Sequence, residues 1–261
     1  MGASTTAHRP SNSLHLLKHY FTQHPEDADK DGSPEGIRAS VEKALAMLDG
    51  VKKIDIFECA RVDRNVPIET SIATLAQLVK EGKIGGVGIS EASAETIRRA
   101  HAVHLIAAAE IELSLFTTDP LRNGIVDVCR ELSISVFAYS PLGRGWLTGQ
   151  IRQYSDLAEN DMRRMLPRFQ PDVFEDNFRL IEAIEDIARQ KGVSIAQVAI
   201  AWVRAQGAIP IPGATTEERV LENFRDVTLT PEELGKVQSV LDGLEIKRAT
   251  YGGQHEKLLN L

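Results

Sequence analysis

Two stretches of this sequence carry residue types suited to gripping a polyanion. In Ala138-Tyr139-Ser140-Pro141-Leu142-Gly143-Arg144-Gly145-Trp146-Leu147-Thr148-Gly149, a strand-like run enters a Ser-Pro turn and a glycine-rich loop holding one arginine. Glycines let backbone N–H groups approach a ligand closely, and Arg144 adds charge. The bland alternative is a plain surface loop. In Ile209-Pro210-Ile211-Pro212-Gly213-Ala214-Thr215-Thr216-Glu217-Glu218-Arg219, a strand ends at Pro212-Gly213 and a helix begins at Thr215 or Thr216. A helix start offers unpaired N–H groups and partial positive charge, which suit an anion. Thr215 can donate a hydroxyl, and Arg219, one turn in, can pair with a second phosphate. The alternative here is an ordinary capped helix with a solvated arginine.

Other chemistry-bearing residues give weaker signals. Ile84-Gly85-Gly86-Val87-Gly88-Ile89-Ser90 lacks the third glycine of a dinucleotide fingerprint, and its glycines fall inside a strand. It reads instead as a closely packed strand, with Ser90 at the end where sites form in parallel barrels. Glu58, Glu91, Glu110 and Glu112 lie near strand ends; two facing carboxylates suit glycosidic chemistry, and salt bridging around a rim is the alternative. His15 and His19 have the spacing of a helical zinc pair without the intervening Glu, and His101 and His104 are three apart, so neither pair makes a strong metal site.

These residues need a frame, and the pattern supplies one. Strand-like runs are expected at Lys53–Cys59, Ile84–Ser90, Ile106–Leu113, Ile134–Tyr139 and Ala208–Ile211. Helices are expected between and after them, at Ile68–Glu81, Ala94–Val103, Pro120–Leu132, Glu175–Lys191, Ile195–Gln206, Thr216–Arg225 and Glu232–Leu244. Ser194-Ile195-Ala196-Gln197 and Thr230-Pro231-Glu232-Glu233 are capping boxes, and Asp119-Pro120 marks a start. Alternation at this spacing predicts a parallel α/β sheet wrapped by helices. The first fifty residues break the rhythm, with helix candidates at Leu14–Gln23 and Pro34–Leu48 but no strand before Lys53. Five strands are expected where a closed (β/α)₈ barrel needs eight.

Composition narrows the partners. The chain has 261 residues, a net charge of −7 and 43% hydrophobic content. An acidic chain repels phosphate backbones, so nucleic acid is not an expected partner. No run has the ~20 apolar residues a membrane span needs. Met1-Gly2-Ala3-Ser4-Thr5-Thr6 fits a loose myristoylation pattern, but no basic stretch follows to secure it. Cys59 and Cys129 sit in apolar runs and read as two reduced thiols of a cytoplasmic protein.

Several strings together resemble the aldo-keto reductases, in particular a fungal pyridoxal reductase-like branch. They are Ile54-Asp55-Ile56-Phe57-Glu58-Cys59-Ala60-Arg61-Val62-Asp63, Lys80 to Glu91, Tyr139 to Gly145, and Ile211-Pro212-Gly213 with Arg219, Glu222 and Asn223. The resemblance covers Ser11 to Leu244. It implies an α/β TIM (β/α)₈ barrel, here incomplete, that binds NADPH or NADP+ at the strand C-termini and reduces a small aldehyde or ketone, pyridoxal-like or of secondary metabolism. By the same resemblance, Ser90 and Glu110 meet the nicotinamide amide. Leu113 stands where a stacking tyrosine is usual. Ser140, Pro141, Leu142 and Arg144 line the pyrophosphate. Gly213, Thr215 and Arg219 hold the 2′-phosphate, and Glu222 and Asn223 lie near the adenine.

The family's chemistry uses a Tyr proton donor, with a Lys and an Asp that tune its pKa, and usually a His. None is matched here, and Ala60 stands at the His position. The reading is therefore one domain spanning 1–261, N-terminally truncated and with an internal gap at Lys30-Asp31, impaired in turnover. The rival readings are a non-catalytic NADP-binding or interaction protein, and a barrel hydrolase using Glu58 and Glu110.

Overall fold

In a computed structural model of the chain, residues 31–246 are described; the helix expected at Leu14–Gln23 lies outside them. Four parallel strands form one sheet in sequence order: β1 (Val87–Ser90), β2 (Ile106–Glu112), β3 (Ser135–Tyr139) and β4 (Ile209–Pro210). The fifth expected strand, Lys53–Cys59, runs extended beside β1 but is joined only by the isolated parallel bridges Ile54↔Ile84 and Phe57↔Val87. Three backbone hydrogen bonds of 2.9–3.1 Å, among them Gly85 N–H to the Ile54 carbonyl, stitch it on. Close approach explains the glycines here. A Cβ on Gly85 would stand 2.6 Å from the Asp55 carbonyl oxygen, and one on Gly88 would stand 2.8 Å from Glu58 Oε2. Among the described residues the sheet is open, with β1 and β4 at opposite ends of its strand order.

Eight helices among the described residues flank the sheet: α1 (Pro34–Leu48), α2 (Ile68–Lys80), α3 (Ala94–Val103), α4 (Ile125–Glu131), α5 (Pro171–Lys191), α6 (Ile195–Ala205), α7 (Glu217–Phe224) and α8 (Pro231–Gly243). Their caps follow the sequence. Ser33 accepts from Gly36 N–H, and the boxes at Ser194/Gln197 and Thr230/Glu233 are both reciprocal. Two helices depart from expectation. Pro120–Leu132 is not continuous: a short 3₁₀ turn at Asp119–Leu121 is split from α4 by Gly124, whose φ of 85° no helix accommodates. The helix expected at Glu175 starts four residues earlier, at Pro171, where a proline at the first position suits a helix start.

The long irregular stretch after β3 is packed, not loose. It is a chain of 3₁₀ turns whose apolar side chains Trp146, Leu147, Ile151, Leu157 and Phe169 join the core. Trp146, 1% exposed, is the hub. Its ring meets Phe116, Phe169 and Phe174 edge-on, with centroids 4.8–4.9 Å apart. This plug fixes the glycine-rich loop against α5 and α6.

Candidate functional site: a cleft between two strand-end loops

At the C-terminal ends of β3 and β4, the two loops singled out above face each other across a cleft of about 390 Å³. One wall is Ser140, Pro141, Leu142, Arg144, Gly145 and Thr148; the other is Pro212, Gly213, Arg219, Glu222 and Asn223. The sheet makes this meeting possible, because β3 and β4 are hydrogen-bonded neighbours although some seventy residues of chain separate them. Ile211 N–H donates to the Ala138 carbonyl at 3.0 Å and carries the pairing to the lip of the cleft.

The first wall is a run of unusual backbone. Ser140 has φ 50°, and Gly143, Arg144 and Gly145 have φ 54°, 57° and 98° in succession. Gly143 and Gly145 adopt this region freely; Arg144 does so at a cost that its surroundings must offset. They do. Arg163 Nη1 donates to the Arg144 carbonyl at 3.1 Å, and Asp161 holds Arg163 through contacts of 2.6–3.2 Å. Arg144 Nη2 in turn lies 3.6 Å from Glu112 Oε2.

The second wall is a turn and a helix start. Thr216, not Thr215, is the N-cap of α7, accepting from Arg219 N–H at 3.3 Å. Arg219 extends across to the first loop, where its Nη2 donates to Gln150 Oε1 at 3.0 Å. Gln197 on α6 supports α7 from below by donating to the Glu222 carbonyl at 3.2 Å.

Eight of the eleven expected cofactor residues line this cleft: Ser140, Pro141, Leu142, Arg144, Gly213, Arg219, Glu222 and Asn223. Thr215 is exposed beside it without lining it. Ser90 and Glu110 lie elsewhere on the same rim, opposite each other in the β1–β2 register. Ser90 is 2% exposed and faces Arg61 Nη1 at 3.5 Å. Leu113 is fully buried and does not line the cleft. The sequence did not single out Gln150 and Ala196 as cleft residues. Both are unremarkable in their local strings and reach the site only through packing.

Beside Ser90 lies an acid pair. Burial, with the neighbouring Glu110 carboxyl that is hydrogen-bonded to it, pushes the Glu58 carboxyl up to about 8, against the pull of Arg61. Hydrogen-bonded carboxyls stand closer than the ~5 Å or more that glycoside hydrolysis needs, so the geometry does not suit the hydrolase reading. Burial likewise raises Glu112, opposed by Arg144 and Arg168. Burial also pushes both thiols, Cys59 and Cys129, up to about 11, away from reactive thiolate chemistry. His101 Nδ1 accepts from Ile106 N–H, and His104 Nδ1 contacts the Leu105 carbonyl. Among the described residues no group of three or more His, Cys, Asp or Glu side chains forms a metal site, and no helix is long and apolar enough to cross a membrane.

Parallel strands, flanking helices and a strand-end cleft define an α/β barrel-type enzyme fold. The sequence profile of the aldo/keto reductase family matches residues 11–242. The chain is 40% identical to a probable pyridoxal reductase 2 of Schizosaccharomyces pombe, covering 97% of this chain and 83% of that protein. It is 39% identical to an aldo-keto reductase of Gibberella moniliformis, over 87% of this chain and 70% of that one. The glycerol dehydrogenase of Gluconobacter oxydans superposes with a TM-score of 0.77 at 29% identity, covering 84% of this chain and 67% of that chain. The chain belongs to the aldo/keto reductase family, a family of oxidoreductases that act on carbonyl compounds. The alignment to the S. pombe protein spans 277 positions, more than the 261 residues of this chain, so that relative carries residues within the aligned span that this chain lacks.

Proposed function

We propose that this chain is by descent an NADPH-dependent reductase of a small aldehyde or ketone, and that its cleft holds the phosphate-bearing half of the dinucleotide. The carrying observation is the meeting of Arg144 and Arg219 across one cleft with the strained loop at 143–145 and the start of α7. The residues fit the group. The Arg144 guanidinium suits a pyrophosphate, while the Gly143 and Gly145 N–H groups donate to the Ser140 and Leu142 carbonyls and shape the loop; the Gly213 turn, Thr215 and Arg219 suit a further phosphate on the ribose. Glu222 and Asn223 can accept from and donate to a purine edge. Ser90 and Glu110, further along the rim, are left for the nicotinamide end. NADPH, when bound, supplies the hydride; the chain's own residues bind it, orient it and keep its phosphates in place.

Turnover is the weaker half of the function. Among the described residues the strand ends carry Glu58, Ser90, Glu112 and Tyr139, and none of them stands at a position that the resemblance assigns to the family's Tyr, Lys or Asp. That observation favours a second reading, a dinucleotide-binding protein with little or no reductase activity. It also supports an internal gap at Lys30-Asp31. Helix α1 packs on α2, as the helix of a strand-helix unit does, yet among the described residues no strand pairs with the outer edge of Lys53–Cys59.

Fluorescence titration of the 261-residue chain with NADPH and NADH tests the binding reading. Saturable quenching with NADPH, weaker with NADH, is expected; no binding of either overturns it. Oxidation of NADPH driven by pyridoxal or a simple aldehyde then separates the two readings: near-normal rates remove the proposed impairment. Sequencing the transcript across Lys30-Asp31 tests the gap, and an uninterrupted genomic reading frame at that junction with no strand-coding sequence removes it.

A further inference from the structure

We propose that Glu112 is a positioning residue, whose buried carboxylate tethers the Arg144 guanidinium at the cleft where it meets the dinucleotide pyrophosphate. This rests on the dinucleotide reading above and adds a residue that does not itself line the cleft.

Glu112 is well anchored. It ends β2 in register with Tyr139 of β3, is 4% exposed, and donates its N–H to Glu91 Oε1 at 2.7 Å. Its Oε1 accepts from the Thr117 hydroxyl at 3.4 Å. Its Oε2 has no hydrogen bond and faces Arg144 Nη2 at 3.6 Å. A buried oxygen without a hydrogen bond is stabilised by the guanidiniums nearby, Arg144 first and Arg168 second.

Arg144 is thus held at both ends. Arg163 clamps its carbonyl, as described, and a Cβ on Gly145 would come within 2.7 Å of Arg163 Nη1, so the clamp is tight. Glu112 holds the far end of the side chain. An arginine normally has many rotamers to lose on binding an anion; one already tethered loses fewer. Charge argues the other way, since a carboxylate near an anion site repels phosphate. Here Arg168 also acts on Glu112 and donates to the Thr117 hydroxyl at 3.1 Å. Two guanidiniums, Arg144 and Arg168, stand against two carboxyls, Glu112 and Glu91, so the charge of Glu112 is offset locally and tethering outweighs repulsion.

The test is a double-mutant cycle on the full chain, read by NADPH fluorescence and by displacement with inorganic pyrophosphate. Glu112→Gln is expected to weaken both by about fivefold, and to have no effect in an Arg144→Ala background, where the tether has nothing to hold. A merely structural role would persist in that background. Unchanged or tighter binding in Glu112→Gln, or an equal loss with and without Arg144, overturns the inference. If Glu112→Gln does not fold, Glu112→Asp keeps the charge and shortens the reach. It should give a smaller loss that again vanishes with Arg144→Ala, and wild-type affinity in it overturns the inference. A wild-type chain that binds neither NADPH nor pyrophosphate overturns this inference together with the dinucleotide reading. Wild-type binding that Glu112→Gln leaves unchanged overturns the inference alone.

Discussion

The two sides of the sheet's C-terminal rim are built on opposite principles. On the β3–β4 side, cations face a cleft whose backbone is locked by glycines, a buried tryptophan and an arginine clamp. On the Lys53–Cys59 side, carboxyls crowd together. Glu58 leans on Glu110, and Asp63 accepts from Gly32 N–H at 3.1 Å. One side gathers guanidiniums at a cleft, and the other holds a hydrogen-bonded carboxyl pair. The difference teaches that a polyanion and a proton-sharing pair can occupy one rim only if separated, since each would spoil the other's electrostatics.

The largest effect should come from removing the plug beneath the cationic side. Trp146→Ala takes away a side chain that touches three other rings and is expected to cost about 3–5 kcal/mol, read by chemical denaturation, with loss of NADPH binding. A cost below about 1 kcal/mol would mean that the loop is not built on this hub. Next, Arg219→Ala should weaken NADPH about tenfold to a hundredfold while leaving NADH nearly unchanged, because only one of the two carries the extra phosphate. An equal loss for both would place Arg219 elsewhere on the ligand.

The acidic side breaks differently. Glu58 has its carboxyl raised from 4.5 to about 8, so the folded chain holds a proton there that the unfolded chain has released. Folding stability therefore falls as pH rises from about 4.5 to about 8 and levels off above that. Glu58→Gln should flatten this slope: thermal melts of wild type and variant should agree near pH 5, and the variant should be the more stable at pH 8.5. NADPH affinity should scarcely respond to it. A variant that loses cofactor affinity as strongly as Arg219→Ala would erase the distinction between the two sides.

The smallest effect tests the scaffold. Ser194→Ala removes a reciprocal cap of α6 and should cost about 1 kcal/mol, without changing NADP preference.

The cationic side was legible in the sequence because its signals are local. The Gly143-Arg144-Gly145 string adopts left-handed backbone that few other residues tolerate, and Pro212-Gly213 ends a strand; both line the cleft. The parallel sheet followed from strand-helix alternation. What sequence could not show arises from register and packing. Glu58 and Glu110 were visible as strand-end carboxylates, but their contact depends on how Lys53–Cys59 slides against β1 and β2. Gln150 meets Arg219 across 69 residues, and nothing in the string around Gln150 marks it. The sequence leaves the helix start open between Thr215 and Thr216, and packing settles it at Thr216, whose hydroxyl accepts from Arg219 N–H. The split of Pro120–Leu132 rests on the left-handed backbone of Gly124, which hydrophobic periodicity does not reveal.

The three consecutive left-handed residues at 143–145 have a kinetic consequence. Because Gly143 and Gly145 N–H are bonded to the Ser140 and Leu142 carbonyls and Arg163 braces the Arg144 carbonyl, the dinucleotide reading requires no rearrangement of this loop as ligand arrives. Stopped-flow mixing should therefore give a single exponential whose observed rate rises linearly with NADPH concentration, without the plateau that a slow isomerisation imposes.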